Sequence, residues 1–151
     1  MIRLSDTLTG ETRELVPLEP SRVRIYSCGP TVYGPVHIGN FRSFLHADLL
    51  VRHLRYRGLK VTWVMNITDI DDKIIRRALE RNVPIRQLTD EMTQAMHEDF
   101  AALGILPPTH EPRATGHVPE MVELIGEAAA DERQARGQVH DDGRQDHPVD
   151  H

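Results

Sequence analysis

Val23-Arg24-Ile25-Tyr26-Ser27-Cys28-Gly29-Pro30-Thr31-Val32-Tyr33-Gly34-Pro35-Val36-His37-Ile38-Gly39-Asn40-Phe41-Arg42 is the stretch that decides the fold. Its opening β-branched and aromatic run reads as a strand, closed by Cys28. Gly29, Pro30, Gly34 and Pro35 forbid regular structure across the next turn. From about Gly39 to Arg57 apolar residues recur at helical spacing: Phe41, Phe44, Leu45, Leu49, Leu50, His53 and Leu54. Gly58 is the stop. A strand thus feeds a Gly/Pro loop, and the loop feeds a helix N-terminus, whose N–H groups and partial positive charge suit a phosphate. Gly39 permits close approach of a ligand to the backbone. His37 and Asn40 are short polar groups that can reach phosphate oxygens.

Beyond Gly58, Lys60-Val61-Thr62-Trp63-Val64-Met65-Asn66 is rich in β-formers and reads as a second strand. Strand, helix and strand at this spacing predict a βαβ unit with adjacent parallel strands, the start of a doubly wound α/β fold. Ligands of such sheets sit beyond the carboxyl ends of the strands, where the loops after Cys28 and Asn66 both fall. Further helices are predicted over Asp69–Asn82 (apolar stripe Ile70, Ile74, Ile75, Ala78, Leu79) and from Pro84 to Leu103, with Ile85, Leu88, Met92, Met96, Phe100 and Leu103 inward and Gly104 as stop. Another runs from Pro119 to about Glu127. Ahead of the first strand, Ile2–Leu4 and Glu14–Val16 flank a loose hairpin or arm. After Gly126 large apolar residues almost vanish, so 126–151 is expected to be a polar, disordered tail behind a domain at 1–125.

Cys28-Gly29-Pro30-Thr31-Val32-Tyr33 together with His37-Ile38-Gly39-Asn40 resembles the signature region of cysteinyl-tRNA synthetases, which are class I aminoacyl-tRNA synthetases. Their first ATP motif reads His-Ile-Gly-His, often with Asn in the last place. The resemblance continues in Asn66-Ile67-Thr68-Asp69-Ile70-Asp71-Asp72-Lys73-Ile74 and in Glu111-Pro112-Arg113-Ala114-Thr115, and covers roughly Leu4 to Ile125. It implies a Rossmann-like nucleotide-binding parallel sheet of the class I type, here incomplete. It also implies ATP with Mg, cysteine and tRNA(Cys) as partners, and a reaction that activates cysteine to cysteinyl-adenylate and transfers it to tRNA. By resemblance His37 and Asn40 are catalytic, His37, Gly39 and Asn40 bind ATP, and Cys28, Gly29, Thr31 and Thr68 line the cysteine pocket.

The resemblance makes Cys28 one of four zinc ligands, and a soft zinc–thiolate bond distinguishes cysteine from serine better than pocket size can. The remaining family ligands have no counterpart here, and a buried free Cys at a strand end is the plain alternative. Asp69, Asp71 and Asp72 invite a magnesium reading, but carboxylates in a first helical turn also stabilise the helix, and that role is the one expected. The second class I motif, Lys-Met-Ser-Lys-Ser, is not in the sequence. Three readings stay open: the N-terminal part of a cysteine–tRNA ligase whose missing half is supplied elsewhere; a truncated, non-catalytic paralogue or gene remnant; and a relative of the cysteine ligase of mycothiol synthesis.

Composition narrows the classes further. Formal net charge is −5 over 151 residues, so there is no overall basic footprint for nucleic acid. Residues 1–60 hold nine Lys/Arg against five Asp/Glu, and residues 61–151 nine against eighteen, so the glycine-loop half is the positive one. A single cysteine excludes an internal disulfide. No apolar run approaches a membrane span and the first residues do not read as a signal peptide, so a soluble cytoplasmic protein is expected.

Overall fold

A computed structural model describes residues 2–141, with side-chain surroundings for 2–129. It divides into two compact units, Met1–Thr115 and a second that begins at Gly116. The first opens with an antiparallel hairpin, β1 (Arg3–Asp6) and β2 (Glu11–Glu14). Then come β3 (Arg22–Ser27), α1 (Ile38–Tyr56), β4 (Lys60–Met65), α2 (Asp72–Arg81) and α3 (Ile85–Leu103). As expected, β3 and β4 are parallel neighbours, in register from Arg22 opposite Lys60 to Ser27 opposite Met65. The fold is therefore α/β with a small parallel sheet.

Beyond α3 the chain returns to the free edge of β4 as a third, irregular parallel strand. Isolated bridges pair Val64 with His110 and Ile67 with Arg113. Thr109 N–H donates to the Trp63 carbonyl at 2.7 Å, Ile67 N–H to Pro112 at 2.8 Å and Ala114 N–H to Ile67 at 3.0 Å. β4 is thus hydrogen-bonded on both sides, and its core-facing residues Trp63 and Met65, together with Ile67 just beyond, are essentially inaccessible. They pack with Phe41, Phe44 and Phe100, whose rings meet edge-on or tilted with centroids 5.2–6.4 Å apart.

α1 is rotated from the phase its leucines suggest. Phe41, Phe44, Asp48, Val51 and Leu54 are buried, while Leu45, Leu49 and His53 face out. Asp48 takes the core position because its carboxylate is fully engaged: Leu106 N–H donates to Oδ1 at 3.1 Å and Arg52 Nε to Oδ2 at 2.8 Å. Arg52 also donates to the Gly104 carbonyl, so the pair staples α1 to the end of α3.

α2 starts later than predicted. Asp71 is its N-cap, accepting from Lys73 N–H at 2.8 Å, and only Ile74 and Ala78 are buried; Ile70, Ile75 and Leu79 are exposed. Asp69 lies outside the helix because its carboxylate has a long-range partner, described below. In α3, Thr89 and Thr93 join the buried face while Ile85 and Leu103 at the ends do not. Gly104 ends it with φ 68°, as expected.

In the second unit α4 (Val118–Asp141) continues well past Glu127, where it was expected to stop. Ala, Glu, Arg and Gln dominate residues 127–136, and all propagate helices well, so Gly126 and Gly137 weaken the helix without ending it. Of the segment expected to be disordered, residues 142–151 lie outside the described residues. No described helix is long and apolar enough to cross a membrane.

Candidate functional site

The loop between β3 and α1 is pinned at its start by a backbone contact that only glycine allows. A Cβ on Gly29 would lie 1.6 Å from the Asn66 carbonyl oxygen at the end of β4. Asn66 then clasps both loops: Gly29 N–H donates to its Oδ1 at 3.0 Å, and its Nδ2 donates to Thr68 Oγ1 at 3.2 Å. Thr68 N–H donates to the Pro30 carbonyl and Val32 N–H to the Thr68 carbonyl, so the parallel pairing extends past both strand ends through Thr31 and Thr68.

Above this floor is a cleft of about 430 Å³. Cys28, Gly29, Thr31, His37, Asn40 and Lys73 all line it. It lies at the carboxyl ends of the parallel strands, where the βαβ reading put the ligand. Two of the anticipated residues do not line it: Thr68 sits at the strand junction beneath, and Gly39 lines a separate depression with Arg42, Ser43 and Leu49.

The N-terminus of α1 is capped rather than bare. Gly39 N–H donates to His37 Nδ1 at 3.1 Å, and His37 N–H donates to Asn40 Oδ1 at 3.4 Å. With Nδ1 accepting, the neutral imidazole carries its proton on Nε2, which leaves a donor for a ligand. A Cβ on Gly39 would come within 2.9 Å of His37 Cε1, so this glycine makes room for the imidazole itself. The first N–H groups of this helix end are thus already engaged by the His37 and Asn40 side chains.

Cys28 is exposed, contrary to the buried-thiol alternative, because β3 has ended and its side chain points away from the core. Tetrahedral zinc needs three or four such donors. Among the described residues no group of three or more His, Cys, Asp or Glu side chains could hold a metal ion. One thiol does not fit the ion by itself.

The acidic run after β4 is structural in two of its three members. Asp71 caps α2. Asp69, buried, accepts from Thr115 N–H at 2.9 Å and from Thr115 Oγ1 at 2.5 Å. This gives the Glu111–Thr115 run a role that its sequence did not reveal. Glu111 meets His97 at 2.8 Å, Arg113 meets Asp90 at 2.5 Å and Thr115 meets Asp69, so the irregular strand is riveted to α3 and to the residue after Thr68. Sequence reasoning also missed Asn66 and Lys73 as parts of the site. Lys73 Nζ lies 5.6 Å from the centroid of the Tyr33 ring, which draws α2 to the cleft wall. The signal available for both was membership of the Asn66–Ile74 motif.

An α/β fold with a small parallel sheet is consistent with a class I synthetase catalytic domain. The family described as "tRNA synthetases class I (C) catalytic domain" matches residues 14–144, and the chain belongs to that family. The match passes Ile125, where the motif resemblance was expected to stop, and takes in the helical α4. Within the family, the chain is 60% identical to a cysteine–tRNA ligase of Methylibium petroleiphilum over 124 residues, 82% of this chain and 27% of that protein. It is 56% identical to the cysteine–tRNA ligase of Variovorax paradoxus, over 83% of this chain and 27% of the relative. To that of Halorhodospira halophila it is 52% identical, over 86% and 28%. The chain spans about a quarter of the length of these curated relatives.

Proposed function

We propose that this chain forms the amino-acid and ATP side of a cysteine–tRNA ligase, with a Rossmann-like class I sheet as its floor. The observation that carries the reading is the convergence of Cys28, Gly29, Thr31, His37 and Asn40 on one cleft at the carboxyl ends of two parallel strands. Cysteine would occupy the end near Cys28, Gly29 and Thr31, with Thr68 setting the floor. The ATP phosphates, with Mg, would lie against His37 and Asn40, and Gly39 would hold the imidazole in place. The carboxylate of cysteine would attack the α-phosphorus, pyrophosphate would leave, and the adenylate would acylate the terminal ribose of tRNA(Cys). His37 Nε2–H and the Asn40 amide can donate to the phosphoryl oxygens as charge shifts onto them. Nothing in the sequence replaces the Lys-Met-Ser-Lys-Ser lysines that neutralise pyrophosphate, so these 151 residues alone carry binding but not turnover.

ATP titration calorimetry tests the reading with His37→Asn, which retains a good N-cap while removing the imidazole donor. Losing a hydrogen bond to a charged phosphate weakens binding by about tenfold or more. Cysteine-dependent pyrophosphate–ATP exchange by the chain alone is expected at background. Equal ATP affinity of variant and parent would refute the role of His37, and robust exchange would refute the division of labour.

A further inference from the structure

A cavity of about 400 Å³ is lined by α3, the connector after it and the irregular third strand, and it shares no lining residue with the cleft. Its walls are mostly apolar: Phe100 and Ile105, both buried, with Pro107 and Pro108. Its polar lining is one pair, His97 and Glu111. His97 Nε2 meets Glu111 Oε2 at 2.8 Å. The other oxygen, Oε1, is buried without a hydrogen-bond partner, and it is the one such side-chain atom among the described residues. An ionised carboxylate only accepts, so what this oxygen lacks is a donor. Leaving a buried acceptor unpaired is costly, and folded proteins seldom do so. The nearest cation along the chain, Arg113, is committed instead to Asp90 at 2.5 Å.

The pair is not sealed from solvent. The Glu111 side chain keeps 21% of its surface and that of His97 44%. The torsion that turns a glutamate's carboxyl plane is soft, so Oε1 can be presented to the cavity without backbone movement. One carboxylate and one imidazole fall short of the donors a metal ion needs, and among the described residues no third donor completes a group. What answers this site is a positive head with several N–H donors, carried on a body that covers Phe100 and Ile105.

We propose that this cavity binds a small primary amine with an apolar body, its ammonium on Glu111 and its body against Phe100, Ile105 and the two prolines. A charge-assisted hydrogen bond to the orphaned oxygen gives orientation. The apolar walls give contact area, the usual division of labour in a small-molecule site of this volume. The ligand would bridge α3, the connector and the third strand. Its binding needs neither ATP nor cysteine.

The test is an NMR titration of the isotope-labelled 151-residue chain with 2-phenylethylamine, read at the amides of Ala101, Ile105 and Glu111. A fragment of this size should bind at on the order of 1 mM. 2-Phenylethanol and 3-phenylpropionate keep the body and change the head, and methylamine keeps the head without the body; each should bind at least tenfold more weakly. Glu111→Gln should weaken the amine at least tenfold and remove its advantage over the alcohol. Ala101 lines the cavity from an exposed position on α3, so Ala101→Phe should fill the cavity and abolish binding while circular dichroism shows the helices intact. If Glu111→Gln does not fold, Ala101→Phe and the series of head groups decide the matter. No saturable shift at these amides, an alcohol or carboxylate that binds as tightly as the amine, or unchanged amine affinity in a folded variant of either position would each overturn the proposal.

Discussion

Gly29→Ala should be far more damaging than one methyl group suggests. The new Cβ would sit 1.6 Å from the Asn66 oxygen, 2.8 Å from its carbonyl carbon and 3.2 Å from Met65 Cγ. Normal contact requires the loop and the end of β4 to separate by roughly 1.5 Å, because backbone atoms cannot rotate aside as a side chain could. That separation breaks Gly29 N–H to Asn66, Thr68 N–H to Pro30 and Val32 N–H to Thr68. Three hydrogen bonds at about 1 kcal/mol each give a loss of about 3 kcal/mol, before any repacking around Met65. Gly34 in the same loop is the internal control. A Cβ there meets nothing within 4 Å and the backbone is not in the left-handed region, so Gly34→Ala should be neutral or stabilising by up to about 1 kcal/mol. Urea unfolding monitored by circular dichroism separates the two, with the Gly29 variant's midpoint lower by about 2 M. A Gly29→Ala protein within about 0.5 kcal/mol of the parent would show that the two loops are not locked by this contact.

Three other outcomes rest on the same geometry. Asp69→Ala should cost about 2 kcal/mol by stranding the Thr115 N–H, whereas Asp69→Asn should be milder because its amide can accept from that N–H and donate to Thr115 Oγ1; parallel urea melts compare them. The Leu8 N–H, with Thr9 and Arg13 contributing less, holds the Asp6 carboxyl below its ordinary range. A depressed pKa adds stability that is present above the ordinary carboxylate range and lost as pH falls through the folded value, so β1–β2 should loosen in acid in the parent and become insensitive there in Asp6→Asn, read from amide chemical shifts. Cys28, exposed at the cleft, should react fully with a disulfide reagent in the native protein, and a buried-like rate without denaturant would contradict its placement.

The two parallel strands, the Gly/Pro loop and the helix after it were legible because each element carries its own local signal. β-branched runs mark β3 and β4, and Gly58 and Gly104 close α1 and α3 in the left-handed backbone region. The gathering of Cys28, Gly29, Thr31, His37 and Asn40 was legible too, since short sequence separation and the βαβ crossover place them at one sheet edge. What escaped was every feature set by a distant partner. Nothing local marks Asp48 as a core residue; Leu106, 58 positions on, donates to its carboxylate and holds it there. Asp69 looked like a helix cap until Thr115, 46 positions on, did the same. The third strand has no run of β-formers at all; Glu111, Pro112 and Arg113 hold their place through side-chain rivets and backbone pairing to β4. Lys73 joined the site only through its approach to Tyr33, far earlier in the chain.

That third strand bears on the order in which a ribosome could deliver a working cleft. The loop that lines the cleft is made early, between β3 and α1, but the strand beneath it keeps one bare edge until residues 109–114 arrive. Through the synthesis of α2 and α3, that edge lacks its backbone partners at His110 and Arg113. Non-local pairing of this kind is slow, because loop closure must precede its reward. Nascent chains stalled before Thr109 should therefore be chaperone clients, and release from chaperones should coincide with emergence of the Glu111–Thr115 run from the exit tunnel.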